Sequence, residues 1–133
     1  MSRTGRVVIA STRAAAGVYE DRCGPIIVDW LNQRSIATAD PVVVADGSPV
    51  GPALRAALAE NVDVIITSGG TGISPTDATP QATAAVLDYQ IPGLADALRR
   101  RHLWEARASE GIGQTGDLVV EHRGGGLGRR VGR

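Results

Sequence analysis

Short apolar runs alternate with polar, glycine-bearing turns along the first two-thirds of the chain. Val7-Val8-Ile9-Ala10, Val42-Val43-Val44-Ala45 and Val64-Ile65-Ile66 are too short for helices and rich in β-branched residues, which predicts three strands, with Val64-Ile65-Ile66 buried. Between them the apolar period lengthens to that of a helix. A first helix is expected to begin between Asp21 and Pro25 and run to about Arg34, with Ile26, Ile27, Trp30 and Leu31 on its inner face. A second follows Ser48-Pro49, where Val50, Leu54, Ala57 and Leu58 fall on one stripe. Thr79-Pro80 reads as an N-cap and first helical position, with Ala82, Ala85, Val86 and Tyr89 facing inward. Ile91-Pro92-Gly93 ends that helix, and Leu94, Ala97 and Leu98 begin a fourth.

Strand followed by helix, repeated three times, is the pattern of right-handed crossovers on a parallel sheet covered on both faces. The expected fold class is therefore α/β, a three-layer, mostly parallel sheet flanked by helices. In such sheets ligands bind beyond the carboxyl ends of the strands. Ser11 and Thr12, Asp46, and the loop from Ser68 to Asp77 all follow strand ends, so three distant polar segments are expected to converge on one cleft. Residues 1–106 carry this pattern. Residues 107–133 do not: glycine and arginine dominate from Arg123 onward, and the segment reads as a flexible tail. Leu118-Val119-Val120 is its one strand candidate.

The loop after the third strand carries the chemistry. Gly69, Gly70 and Gly72 alternate with Ser68, Thr71, Ser74 and Thr76 ahead of a helix start. Glycines let backbone N–H groups approach an anion, hydroxyls add donors, and the helix N-terminus adds partial positive charge. Asp77 would repel a phosphate held there unless a cation lay between them, which suggests Mg²⁺. Asp46, beyond another strand end, supplies a second carboxylate, and such a pair beside a phosphate cradle suits metal-assisted nucleotidyl transfer. Plainer readings compete: Asp46-Gly47 as a turn, and Asp77 as a helix cap. The same weighing makes Asp21 a helix cap, Trp30 a core residue, Cys23 a small helix residue, and Arg99-Arg100-Arg101 a solvated face that could meet an anionic phosphate. His102 and His122 lack metal-ligand spacing.

Bulk properties narrow the field. The 133 residues suit one domain, and the formal net charge of zero gives no field to recruit nucleic acid or membrane. Every basic residue is an arginine, and eight of the 14 fall at or after Arg99. The single cysteine excludes an internal disulfide. No apolar run approaches the roughly 20 residues of a membrane helix, and a cytoplasmic location is expected.

The full string from Thr67 to Pro80, with Thr-Ser-Gly-Gly-Thr-Gly, Ser74-Pro75, Asp77 and Thr79-Pro80, closely resembles the signature of the molybdenum-cofactor biosynthesis domain family, the molybdopterin adenylyltransferases and their relatives. The resemblance also takes in Ser11, Glu20-Asp21, Gly24, Asp46, Pro92-Gly93-Leu94-Ala95 and Leu98-Arg99, from about Val7 to Arg100. It implies a molybdopterin-binding, Rossmann-like fold and an enzyme that transfers AMP from ATP to the molybdopterin phosphate with Mg²⁺, releasing pyrophosphate. It places Asp46 and Asp77 as the catalytic and metal-holding acids. Ser11, Thr12, Ser68, Gly69, Gly70, Thr71, Gly72 and Ser74 become the substrate-binding set, and a homotrimer is implied. Beyond Arg100 the family continues with a Ser-Arg-Gly segment, a strand, a Leu-Pro-Gly-Ser-Pro loop and a closing helix. Here only Ser109-Glu110-Gly111 and Leu118-Val119-Val120 echo that pattern. A non-catalytic pterin-binding or assembly module is the alternative that this departure favours.

Overall fold

The computed structural model describes residues 2–70, 75, 77–108, 119–123 and 130–131. Among the described residues six strands form one sheet: β1 (Arg3–Ala10), β2 (Ile36–Thr38), β3 (Val42–Val44), β4 (Val64–Gly69), β5 (Val119–Arg123) and β6 (Arg130–Val131). The helices are α1 (Thr12–Ala15), α2 (Cys23–Asn32), α3 (Val50–Ala59), α4 (Thr79–Ala84) and α5 (Leu94–Ala108). β1 and β4 are parallel neighbours over Gly5–Ala10 and Val64–Gly69. The other side of β1 is shared, β2 pairing with Arg3–Gly5 and β3 with Val8–Ala10, both parallel. β5 runs antiparallel beside β4, and β6 antiparallel beside β5.

Period-two alternation along β1 and β4 sends side chains to opposite faces, and both faces are buried. Val7, Ile9, Val64 and Ile66 pack with Val28 and Leu31 of α2. Val8, Ala10 and Ile65 pack with Val50, Leu54 and Ala57 of α3, and Ala82 of α4 leans on the same cluster. These two apolar layers on one sheet are the three-layer, mostly parallel α/β architecture expected from the strand–helix rhythm.

The helix faces are partly corrected. On α3 the expected stripe is the buried one. On α2, Ile26 and Trp30 are 68% and 48% exposed, while Gly24, Val28 and Leu31 face the sheet. Trp30 is thus no core residue: its ring lies under the Arg34 guanidinium, 3.7 Å from the ring centroid. Gly24 rotates the helix this way, because a Cβ there would come within 2.7 Å of Pro41. In α4 the inward set is Thr79, Ala82, Thr83 and the following Val86, whereas Ala85 and Tyr89 are exposed. A 3.6-residue period fits both phases over so short a helix, and packing decides between them.

β2 has no counterpart among the expected strands; with three residues and one alanine it offers little pattern. Its position is fixed instead by Asn32 at the end of α2, whose Nδ2 donates to the Thr38 carbonyl at 3.1 Å and whose Oδ1 accepts from Thr38 N–H at 2.9 Å. The stretch from Arg123 to Arg133, expected as a flexible tail, gives Arg123 to β5 and Arg130–Val131 to the sheet edge. A ladder needs only backbone donors and acceptors, so a segment poor in apolar residues still qualifies. Val119 and Val120 lie in β5 as expected, while Leu118 and residues 109–111 fall outside the described residues. Among the described residues no helix is long and apolar enough to cross a membrane.

Leu54 is 2% exposed at the centre of the α3 layer, so Leu54→Ala should cost about 2–5 kcal/mol in urea unfolding. Trp30→Ala, despite the larger deletion, should cost under about 1 kcal/mol because the side chain sits on the outer face of α2.

Candidate functional site

The carboxyl ends of β1, β3 and β4 lie together, and the chain leaves each in a polar turn. Ser11 follows β1: its N–H donates to the Val44 carbonyl at 2.8 Å, tying the ends of β1 and β3. Its hydroxyl shares a 2.8 Å hydrogen bond with the Tyr19 hydroxyl and accepts from Ala14 N–H at 3.3 Å. Thr12 Oγ1 accepts from Asp46 N–H at 3.2 Å, so the main chain of Asp46 is held by the turn after β1. At the end of β4, Gly69 has φ +90° and Gly70 φ +61°, the left-handed conformations that glycine admits at no steric cost.

A cleft of about 540 Å³ opens over these ends, lined among others by Ser11, Tyr19, Asp21, Cys23, Ser68 and Gly69. Asp21 works as the expected cap, its Oδ1 accepting from Cys23 N–H at 3.1 Å and Gly24 N–H at 3.2 Å. That cap turns the start of α2 toward the cleft. Cys23 is the helix residue expected, the first of α2, and stands exposed at the cleft wall with its sulfur 3.5 Å from Ser68 Oγ.

Beyond Gly69 the turn reaches the two acids. The Asp46 and Asp77 side chains are in direct contact, with a protonated Asp46 able to donate to the Asp77 carboxylate. Thr79 Oγ1 donates to Asp46 Oδ1 at 2.9 Å. Thr79 is therefore not the N-cap expected from the sequence: Ala78 occupies that position, and the threonine hydroxyl is turned to the neighbouring strand end. Gly70 completes the junction, since an added Cβ would overlap Thr79 Oγ1 and come within 2.5 Å of Asp46 Oδ1.

The electrostatics follow from this packing. Burial raises the Asp46 carboxyl above its ordinary value; the Thr79 hydroxyl pulls it back, and the Asp77 charge and hydrogen bond push it up again. Two carboxyls in contact are stable when they share a proton, or when a cation lies between them. Both therefore fit a Mg²⁺ site of the kind completed by substrate phosphates and water. Among the described residues no group of three or more His, Cys, Asp and Glu side chains supplies an all-protein metal cage.

Ser11, Thr12, Ser68, Gly69, Gly70, Asp46 and Asp77 are thus brought to one end of the sheet. Thr71, Gly72 and Ser74 lie outside the described residues. Tyr19, Cys23 and Thr79 were not foreseen as site residues. Only Thr79 carried a signal: a hydroxyl two residues past an acid in a glycine-rich turn. Arg100, from the arginine run, pairs with Asp96 at 2.7 Å on the open face of α5.

Comparison with known proteins bears on the same segments. Residues 6–127 match the family described as "Probable molybdopterin binding domain". The chain belongs to that family. The match runs past the Val7–Arg100 segment that carries the motifs and includes β5. Members of known name are similar to it. The "Molybdenum cofactor biosynthesis bifunctional protein" of Synechococcus elongatus is 39% identical over 95 residues, covering 71% of this chain and 30% of the relative. The "Molybdopterin adenylyltransferase" of Haemophilus influenzae is 38% identical over 104 residues, covering 71% and 50%. The chain therefore spans half the length, or less, of these two relatives. Among solved structures, the "Molybdopterin biosynthesis Mog protein" of Mycobacterium ulcerans superposes with a TM-score of 0.73 at 52% identity, covering 97% of this chain and 80% of that one. The "tungsten cofactor synthesizing protein MoaB" of Pyrococcus furiosus gives a TM-score of 0.73 at 24% identity over 98% and 80%, which shows the fold alone.

The raised Asp46 carboxyl fixes the sign of a pH effect. Below its ordinary value the folded and unfolded chains both carry the proton, and nothing is lost. As pH rises from there through the raised folded value, the folded chain must give up a proton it holds more tightly, so stability falls across that window and stays lower above it. Asp46→Asn removes the penalty. In metal-free buffer the variant should melt above the wild type at neutral pH, with the gap closing as pH falls to the ordinary carboxylate range.

Proposed function

We propose that this chain is a molybdopterin adenylyltransferase, transferring AMP from ATP to the terminal phosphate of molybdopterin. An oxygen of that phosphate attacks the α-phosphorus of ATP; one P–O bond forms, the bond to the β-phosphate oxygen breaks, and pyrophosphate leaves. The observation that carries this reading is the approach of Asp46 and Asp77 beside the glycine turn, two carboxyls from different segments close enough for one to act on the other. The name of the Haemophilus influenzae relative supports the same chemistry, and that of the Synechococcus elongatus relative supports a role in molybdenum cofactor biosynthesis.

In this reading Asp46 and Asp77 hold Mg²⁺, which when bound supplies charge neutralisation to the triphosphate. The rest falls to the chain's own groups. The Ser11–Tyr19 pair, Ser68 and Gly69 line the cleft that takes the pterin. Thr12 and Gly70 keep the acid pair at its edge. Little covalent chemistry is asked of the protein, so rate comes from positioning and from charge placed where it develops. We place this activity in a cytoplasmic homotrimer. Tyr89, Ile91 and Leu98 are large apolar residues exposed on the single chain, surface that further copies would cover.

Incubation with molybdopterin, ATP and Mg²⁺ should yield adenylated pterin and pyrophosphate in equal amounts. Pterin binding without product would instead support the non-catalytic module. Asp77→Asn should lower turnover by about 100-fold or more, yet leave pterin affinity nearly intact, because Asp77 is not among the residues that line the cleft. Static light scattering at micromolar concentration should give the mass of three chains, and a monomer would remove that part of the proposal.

A further inference from the structure

Thr79 stands out as a buried hydroxyl with an unusual assignment. It is 5% exposed, and it opens α4 where its own side chain caps nothing. Threonine is a poor helix former, and a buried hydroxyl needs a partner. Its partner is Asp46 Oδ1, across a sequence separation of 33 residues. One turn later Thr83, 2% exposed, donates to the Thr79 carbonyl at 2.8 Å, a back-bond that fixes the residue's main chain. Gly70 leaves free the space in which Thr79 Oγ1 and Asp46 Oδ1 meet. Three segments, the turn after β3, the end of β4 and the start of α4, thus close around one carboxylate oxygen.

We propose that Thr79 is the positioning residue of Asp46, a hydroxyl whose task is to orient that carboxylate toward Asp77 for a divalent cation. The inference rests on the metal-assisted reading above and adds a residue to it. An aspartate side chain has two rotatable bonds, and the Thr12 contact restrains only the main chain. Thr79 supplies a side-chain hydrogen bond to Oδ1, and losing it removes a restraint that holds the carboxylate in one rotamer. Ligating carboxylates are commonly held by such outer hydrogen bonds, and losing one costs about 10–100-fold in metal affinity. A merely structural role for the bond predicts something else: a lower melting temperature with metal affinity unchanged.

The test is a Mn²⁺ titration, in the presence of ATP, followed by the enhancement of water-proton relaxation that protein-bound Mn²⁺ produces. Thr79→Val keeps the side-chain shape and removes the donor. It should bind Mn²⁺ about 10-fold more weakly or worse, while Thr79→Ser retains the wild-type affinity. Thermal melts on the same samples identify any unfolded variant. If Thr79→Val proves unfolded, Thr79→Ala against Thr79→Ser gives the same comparison, since the two differ by a hydroxyl alone. Equal Mn²⁺ affinity in wild type and Thr79→Val, both folded, overturns the positioning role and leaves the metal reading standing. A wild-type chain that shows no relaxation enhancement overturns the metal reading, and this assignment with it.

Discussion

The pairing of β1 with β4 is the interaction on which the rest of the molecule depends. Both strands are apolar on both faces, so neither face can be left to water, and each demands a helical layer. α2 supplies one and α3, with the start of α4, the other. Once the faces are covered, the strand ends are where the main chain can turn outward and present polar groups. Ser11, Asp46 and Gly70 are each within two residues of such an end. The location of the site is thus a by-product of how the core is closed, and its residues come from segments far apart in sequence for the same reason.

Much of this was legible because burial writes itself as runs of β-branched residues. Strands β1, β3 and β4 and the inner stripe of α3 are plain in the chain, and so is the convergence of the strands' polar ends. What stayed hidden depends on contacts between distant residues. Trp30 reads as core by its chemistry, yet Gly24 lets Pro41 sit close and turns the tryptophan outward. β2 exists through the two bonds from Asn32, not through a pattern of its own. Thr79 announces a helix cap to any local reading, because only the folded chain shows Asp46 beside it. In the segment after Arg101 side-chain pattern is weak, and strand formation there follows from the open backbone edge of β4.

Two carboxyls forced together are an uneasy element in a small domain. The Thr79 bond relieves part of that, because a hydroxyl that donates to Asp46 favours its charged form. Two carboxyls this close favour whatever brings positive charge between them. The arrangement around Gly70 shows how little freedom was left in placing it: one added methyl group would displace both the threonine and the aspartate.

The broken edge of the sheet has a further consequence. β2 and β3, each three residues long, divide one side of β1 between them, with Pro41, which has no N–H to offer, directly ahead of β3. At the other margin β6 contributes two residues. Among the described residues neither margin presents a long uninterrupted row of backbone donors and acceptors on which a foreign strand could grow. A sheet whose central strands are among the most aggregation-prone sequences in the chain is thereby bounded by edges too short to template fibrils.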